Sequence, residues 1–206
     1  MLLIELHHLP CLDYFSALMA ADEIIVEQHE SYQKQTYRNR CRILTANSVL
    51  TLTVPVEQAN SKMLIRDVKI DDRQPWQRQH WGAIKLGYAK TPFFEHYEDF
   101  FRPFYQKKYT YLFDYNWELL TICLKLLGIK TTVVFTDYYS KMPDNEATDA
   151  RDSIIFPKNE IYRNKYLPKS YQQNFGVEFV ANLSVIDLLF CQGPQAFQFL
   201  GSRTSL

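Results

Sequence analysis

LLIELHHLPCLDYFSALMAADEIIVEQ, residues 2–28, decides the fold. Residues 2–6 are a short apolar run, residues 11–21 carry apolar side chains at helical spacing, and residues 23–28 form a second, β-branched run. The pattern predicts β-α-β. A connection of about a dozen residues suits a right-handed crossover between parallel strands. Pro10 fits the first turn of the helix, where its missing N–H costs nothing. The chain is therefore expected to be a Rossmann-like, three-layer α/β domain with a mainly parallel sheet and additional helices, one unit over residues 1–206. In such sheets ligands bind outside the carboxyl ends of the strands.

Outward from this unit, RILTA and SVLTLTVPV flank Ala46-Asn47 as two strands about a turn, and residues 68–70 suggest a further short strand. Residues 71–129 are expected to be a helical insertion or cover. A helix over 71–90 would begin near Asp71 or Asp72 and align Trp76, His80, Ile84 and Tyr88 on one face. A second spans 91–107, with Pro103 kinking or ending it, and a third spans 114–129, with Asp114 as cap and Gly128 as stop. TTVVFT, residues 131–136, is expected to be a buried strand, and residues 137–165 a long loop with little structure of its own. The segment 179–194 predicts a strand and then a helix from near Ser184, stopped by Gly193-Pro194.

Composition narrows the function. Lys+Arg and Asp+Glu balance at 23 each, so no overall field draws the chain to nucleic acid or an anionic membrane. Its 47% hydrophobic and 15% aromatic content suits a compact core rather than disorder. The four cysteines are scattered with no CxxC pair, which indicates reduced thiols and no zinc site. MLLIELHHLP lacks the features of a signal peptide, and no stretch approaches the ~18 apolar residues of a membrane span. A cytoplasmic protein without a metal or cofactor is expected.

The chain resembles the WbqC-like family, found in bacterial surface-polysaccharide (O-antigen) loci and widely elsewhere in bacteria. The resemblance rests on LPCLDYF (9–15), IVEQHESYQKQTYRNRCRI (25–43), TLTVPV (51–56), Trp76, His80 and Tyr88, TPFFEHY (91–97), Tyr115-Asn116 with LGI (127–129), and NLSVIDLLFCQGP (182–194). It implies a role in amino-sugar modification or glycan assembly, including acyl or aminoacyl transfer. Two positions depart from the family pattern. Asp13 replaces the usual glycine of the first loop, adding a Cβ and a charge, and Cys191 replaces an asparagine near the end of the IDLLF segment.

The candidate site residues follow from the predicted strand ends. His7 and His8 lie between the first strand and helix, where the helix N-terminus and strand end meet. The alternative for His8 is that it packs or caps the loop. Glu27 and Gln28 end the second strand, and Lys34, Arg38, Asn39 and Arg40 follow; the arginine fork suits phosphate or carboxylate. The alternative is an ion-pair network to Asp22, Glu27 or Asp187. Arg42 is expected to face solvent. His80 has the titration range for acid–base work if it reaches the cleft, while its stripe with Trp76 and Tyr88 fits core packing equally. Asn116 either caps its helix or faces the ligand. Asp187, in an apolar helix, calls for an arginine, Arg38 or Arg40.

These residues lead to an expected transferase of surface-polysaccharide or amino-sugar synthesis, with His7, His8, Glu27 and His80 in the proton transfers. Gln28, Lys34, Arg38, Asn39, Arg40, Tyr88, Asn116 and Asp187 would bind an anionic small molecule, a sugar nucleotide or acyl donor. The competing class is a non-catalytic ligand-binding or scaffold protein that uses the aromatic-rich region 91–117. A nucleotidylyltransferase-like enzyme is a further alternative, but its two-histidine motif has a glycine and a spacing absent here. A cavity beside His7, His8 and Glu27 favours catalysis, whereas full burial with every polar atom bonded excludes it.

Overall fold

The computed structural model describes residues 1–58, 60–142, 147–156 and 166–203. Strand β1 (Leu2–Glu5), helix α1 (Leu12–Leu18) and strand β2 (Glu23–Glu27) form the opening unit, with β1 and β2 parallel from Leu2↔Ile24 to Glu5↔Glu27. All four residues of β1 and all seven of α1 are buried, which explains why neither shows a polar face in the sequence. Strand β3 (Arg40–Leu44) pairs antiparallel with β4 (Val49–Thr53) across a turn closed by Thr45 and Ser48.

Three helices follow: α2 (Trp76–Tyr88), α3 (Phe94–Phe101) and α4 (Leu112–Leu127). Strand β5 (Thr132–Phe135) then joins β2, and β6 (Thr148–Asp149) joins β1, giving a four-stranded, all-parallel sheet in the order β5-β2-β1-β6. The fold is the Rossmann-like α/β class. Strand β7 (Tyr166–Leu167), helix α5 (Val185–Gln192) and strand β8 (Ser202–Arg203) complete it, β7 pairing with β8. One continuous apolar cluster runs from Leu2 to Leu200.

Several local expectations need correction. Helix α2 begins at Trp76 rather than near Asp71, because the Asp71 carboxylate already accepts the Arg73 N–H and guanidinium at 2.6–3.0 Å. Residues 68–70 make isolated bridges, Val56↔Ile70 and Lys69↔Tyr111, and no strand. Helix α4 starts at Leu112, so Asp114 sits inside its first turn; Gly128, at φ 70°, ends it as expected. After α3 the chain tightens into a 3₁₀ turn over Arg102–Tyr105, the place where Pro103 cannot donate.

The β-branched run at 131–136 is an edge strand, not a buried one, with Val134 38% and Phe135 37% exposed. The loop expected at 137–165 contains β6; its residues 143–146 and 157–165 lie outside the described residues. Residues 179–183 form no strand ahead of α5, and Ser184 makes a lone bridge to Cys11. Arg42 is buried rather than solvated, and its carbonyl accepts the Ser184 N–H at 2.8 Å.

Asp13 is buried inside α1. Its N–H donates to Asn182 Oδ1 at 2.8 Å, and its carboxylate lies 3.3 Å from Arg203 Nε. This buried carboxylate thus links α1 to β8.

A candidate acid–base site at the strand ends

The last residues of β1, β2 and β6 are Glu5, Glu27 and Asp149, three carboxylates at the carboxyl ends of neighbouring or near-neighbouring parallel strands. Glu5 and Glu27 are each 1% exposed, so both require partners. Two arginines and a histidine provide them.

Glu27 Oε2 takes Arg151 Nη1 at 2.9 Å, while its Oε1 accepts the His29 N–H and the Thr136 hydroxyl, both at 2.8 Å. Arg151 also forks onto Asp149 at 2.8 and 2.9 Å. Glu5 Oε1 lies 3.0 Å from His7 Nε2 and 3.9 Å from Arg38 Nη2; its Oε2 accepts the Asp152 N–H at 3.2 Å. Burial opposes the Glu5 charge, but the His7 contact and the Arg38 guanidinium prevail and hold the carboxyl below the usual carboxylate range. Arg38, 2% exposed, forks onto Glu30 at 2.7 and 2.5 Å and reaches Asp152 at 2.9 Å. Burial pushes the Glu30 carboxyl up to about 7 against that pull.

His7 is packed between Tyr14 and Tyr37, with ring centroids 4.8 and 5.2 Å away. The Tyr14 hydroxyl donates to the Glu5 carbonyl at 2.9 Å and fixes the end of β1. With Nε2 against a carboxylate, the neutral imidazole carries its proton there and keeps the lone pair on Nδ1. Nδ1 has no partner among the described residues. The ring lines a cavity of about 340 Å³ shared with Gln33, Lys34, Tyr37, Arg38, Asp152 and Phe156. A second cavity, of about 170 Å³, lies over Glu27, Thr136 and Arg151. No group of three His, Cys, Asp or Glu among the described residues is placed to hold a metal.

The sequence-derived candidates divide into two sets. His7, Glu27, Gln28, Lys34 and Arg38 gather at the strand ends. Gln28 there joins β2 to β5 through the Thr136 carbonyl at 2.7 Å, and Lys34 is exposed at the cavity. The remaining candidates lie elsewhere. His8 turns to the opposite side from His7, between Tyr115 and His80 at 5.5 and 6.0 Å, and burial holds it well below the usual imidazole range. His80 Nε2 donates to the Thr53 carbonyl, 3.1 Å away, and burial pushes the ring down to about 4. Since a carbonyl only accepts, His80 Nε2 is the protonated nitrogen.

Asn39 and Asn116 brace the backbone, donating to Val54 and Arg38 carbonyls at 3.0 and 2.7 Å. Arg40 sits in β3 with its guanidinium 5.8 Å from the Phe156 ring centroid. Tyr88 and Asp187 form a separate buried centre. Asp187 has no arginine: Tyr88, Tyr171 and Gln173 donate to it at 2.9, 2.6 and 2.9 Å, so three neutral donors replace the expected cation. The Arg38 network expected with Asp22, Glu27 or Asp187 is built instead from Glu30, Asp152 and Glu5.

Glu5, Asp149, Arg151 and Asp152 are members the sequence did not single out. Glu5 had one visible signal, a charge inside a strand that is otherwise apolar throughout.

The described residues thus form a parallel α/β sheet with a buried imidazole and a cavity near its strand ends. The chain belongs to the WbqC-like protein family, whose model matches residues 7–155. The uncharacterized protein Rv1507c of Mycobacterium tuberculosis (strain ATCC 25618 / H37Rv) is 26% identical over 225 residues, covering 96% of each chain. No solved structure matches. Among the described residues no helix is long and apolar enough to cross a membrane.

Proposed function

We propose that the chain is a transferase of surface-polysaccharide or amino-sugar synthesis, moving an acyl or aminoacyl group onto the amine of a nucleotide-linked amino sugar with His7 as general base. The Glu5–His7 pair carries this reading: a carboxylate fixes one ring nitrogen at 3.0 Å, the other is without a partner among the described residues, and the residue lines a cavity. The acceptor nitrogen attacks the acyl carbon and an N–C bond forms. Its proton passes to His7 Nδ1, and the bond to the donor's leaving group breaks with its electron pair. The imidazolium then returns that proton to the leaving group. Glu5 holds the ring orientation and balances the imidazolium charge.

The surroundings favour an amine. Glu5, Glu27, Glu30, Asp149 and Asp152 outnumber Arg38 and Arg151, so the cluster leans acidic. His8 and His80, facing one another in the core, have no part in this step.

The test is turnover with a panel of nucleotide-linked amino sugars and acyl or aminoacyl donors. His7→Gln is expected to lower the rate by about 10²–10⁴-fold, the usual worth of a positioned base. A His7→Gln protein with undiminished turnover would sink the assignment. A non-catalytic ligand-binding role is favoured by one observation, the mutual saturation of the arginines and carboxylates. Ligand binding by wild type with no turnover under any donor pairing would select it.

A further inference from the structure

Asp152 differs from the rest of the ion cluster. Its side chain is 56% exposed, whereas that of its partner Arg38 is 2% exposed and Glu30's 6%. Its backbone is left-handed, at φ 56°, a conformation that costs a residue other than glycine roughly 1–2 kcal/mol. A half-exposed ion pair returns little of that cost, because solvent screens it. Yet Asp152 draws converging donors: Arg38 Nη2 at 2.9 Å to Oδ1, and Gln33 Nε2 at 3.0 Å to both carboxylate oxygens. Those donors, Asp152 itself and the exposed Lys34 all line the cavity beside His7.

We propose that Asp152 occupies a carboxylate subsite of this cavity, and that a small organic acid binds by displacing the Asp152 side chain from Arg38 and Gln33. Displacement is needed because adding an anion to a cluster already rich in carboxylates is unfavourable, whereas exchanging one carboxylate for another conserves charge. Arg38 keeps its fork on Glu30 throughout, so the guanidinium stays in place. The neighbouring wall of Tyr37, Ile154 and Phe156 suits a carboxylate carried on a small apolar body. The subsite lies in the cavity assigned above to transfer, but binding there needs no turnover.

The experiment is a calorimetric titration of the full chain with propionate, inorganic phosphate and chloride at constant ionic strength. Wild type is compared with Asp152→Asn, which tolerates the left-handed backbone, and with Asp152→Gly, which prefers it. A resident side chain that occupies its site nine-tenths of the time weakens apparent affinity about tenfold. Propionate affinity is therefore expected to rise about tenfold in Asp152→Gly and by less in Asp152→Asn, and Gln33→Ala in the glycine background is expected to reverse much of the gain. Equal affinity in wild type and Asp152→Gly overturns the proposal, as does a gain for chloride or phosphate that matches or exceeds the gain for propionate. Either failure leaves the Glu5–His7 reading intact, since no step of this measurement uses His7 as a base.

Discussion

At His8 and His80, burial opposes the cationic form of both rings, so the pair constrains stability on the acid side. A folded-state value depressed to about 4 at His80 means its contribution is complete above the ordinary imidazole range, near 6.5, and is lost as pH falls from there toward about 4. Urea denaturation of wild type and His80→Gln across that window is expected to show the wild type losing up to about 2 kcal/mol more by pH 5. Glu30 and Asp13, pushed up to about 7 and about 6, act with the opposite sign in overlapping windows, so the difference between proteins isolates the histidine. At the Asp187 centre, Tyr88 both donates to the carboxylate and accepts the Leu44 N–H at 3.0 Å. Tyr88→Phe leaves both without that partner and is expected to cost about 1.5–3 kcal/mol in chemical denaturation. Charge type was legible at this scale, but partners were not. An aspartate in an apolar helix announces that it needs donors; Tyr171 and Gln173 reach it from a stretch with no periodicity to place them.

The elements were most legible where their own residues dictate them. Leu2–Ile4 and Ile24–Val26 are apolar because they lie in the two inner strands of the sheet, and α4 ends at Gly128 because a left-handed residue is needed there. Strand β5 shows the limit: a β-branched run fits a pleated surface whether it lies at the centre or the edge of a sheet. Helix α5 stops at Gly193, at φ 55°, where an added Cβ would come within 2.4–2.5 Å of the Phe93 ring. Gly193→Ala combines a strained backbone with a clash against a packed ring, and is expected to lower stability by about 2–4 kcal/mol in thermal or chemical denaturation.

Across the whole molecule, segments distant in sequence are joined by a few charges. Arg151 and Asp152 reach β2 and Arg38 from more than a hundred residues away, which is why no local pattern revealed half of the strand-end site. The Asp13–Arg203 contact joins the first helix to the last strand. Burial pushes Asp13 up to about 6 despite the arginine, so folding with this carboxyl neutral is favoured below that value and the ion pair matters above it. Arg203→Gln is expected to be nearly neutral at pH 5 and to cost up to about 3 kcal/mol at pH 8, where a buried carboxylate loses its cation. Denaturation midpoints at the two pH values check this. The placement of Glu5 has a further consequence for how the protein can change. Its strand is both the centre of the sheet and the support of the imidazole, and a slip of one residue would put Ile4 where the carboxylate now stands. Insertions and deletions in residues 2–5 are therefore expected to break the Glu5–His7 contact, while point substitutions at the exposed rim of the cavity, such as Lys34 or Ile155, leave it in place.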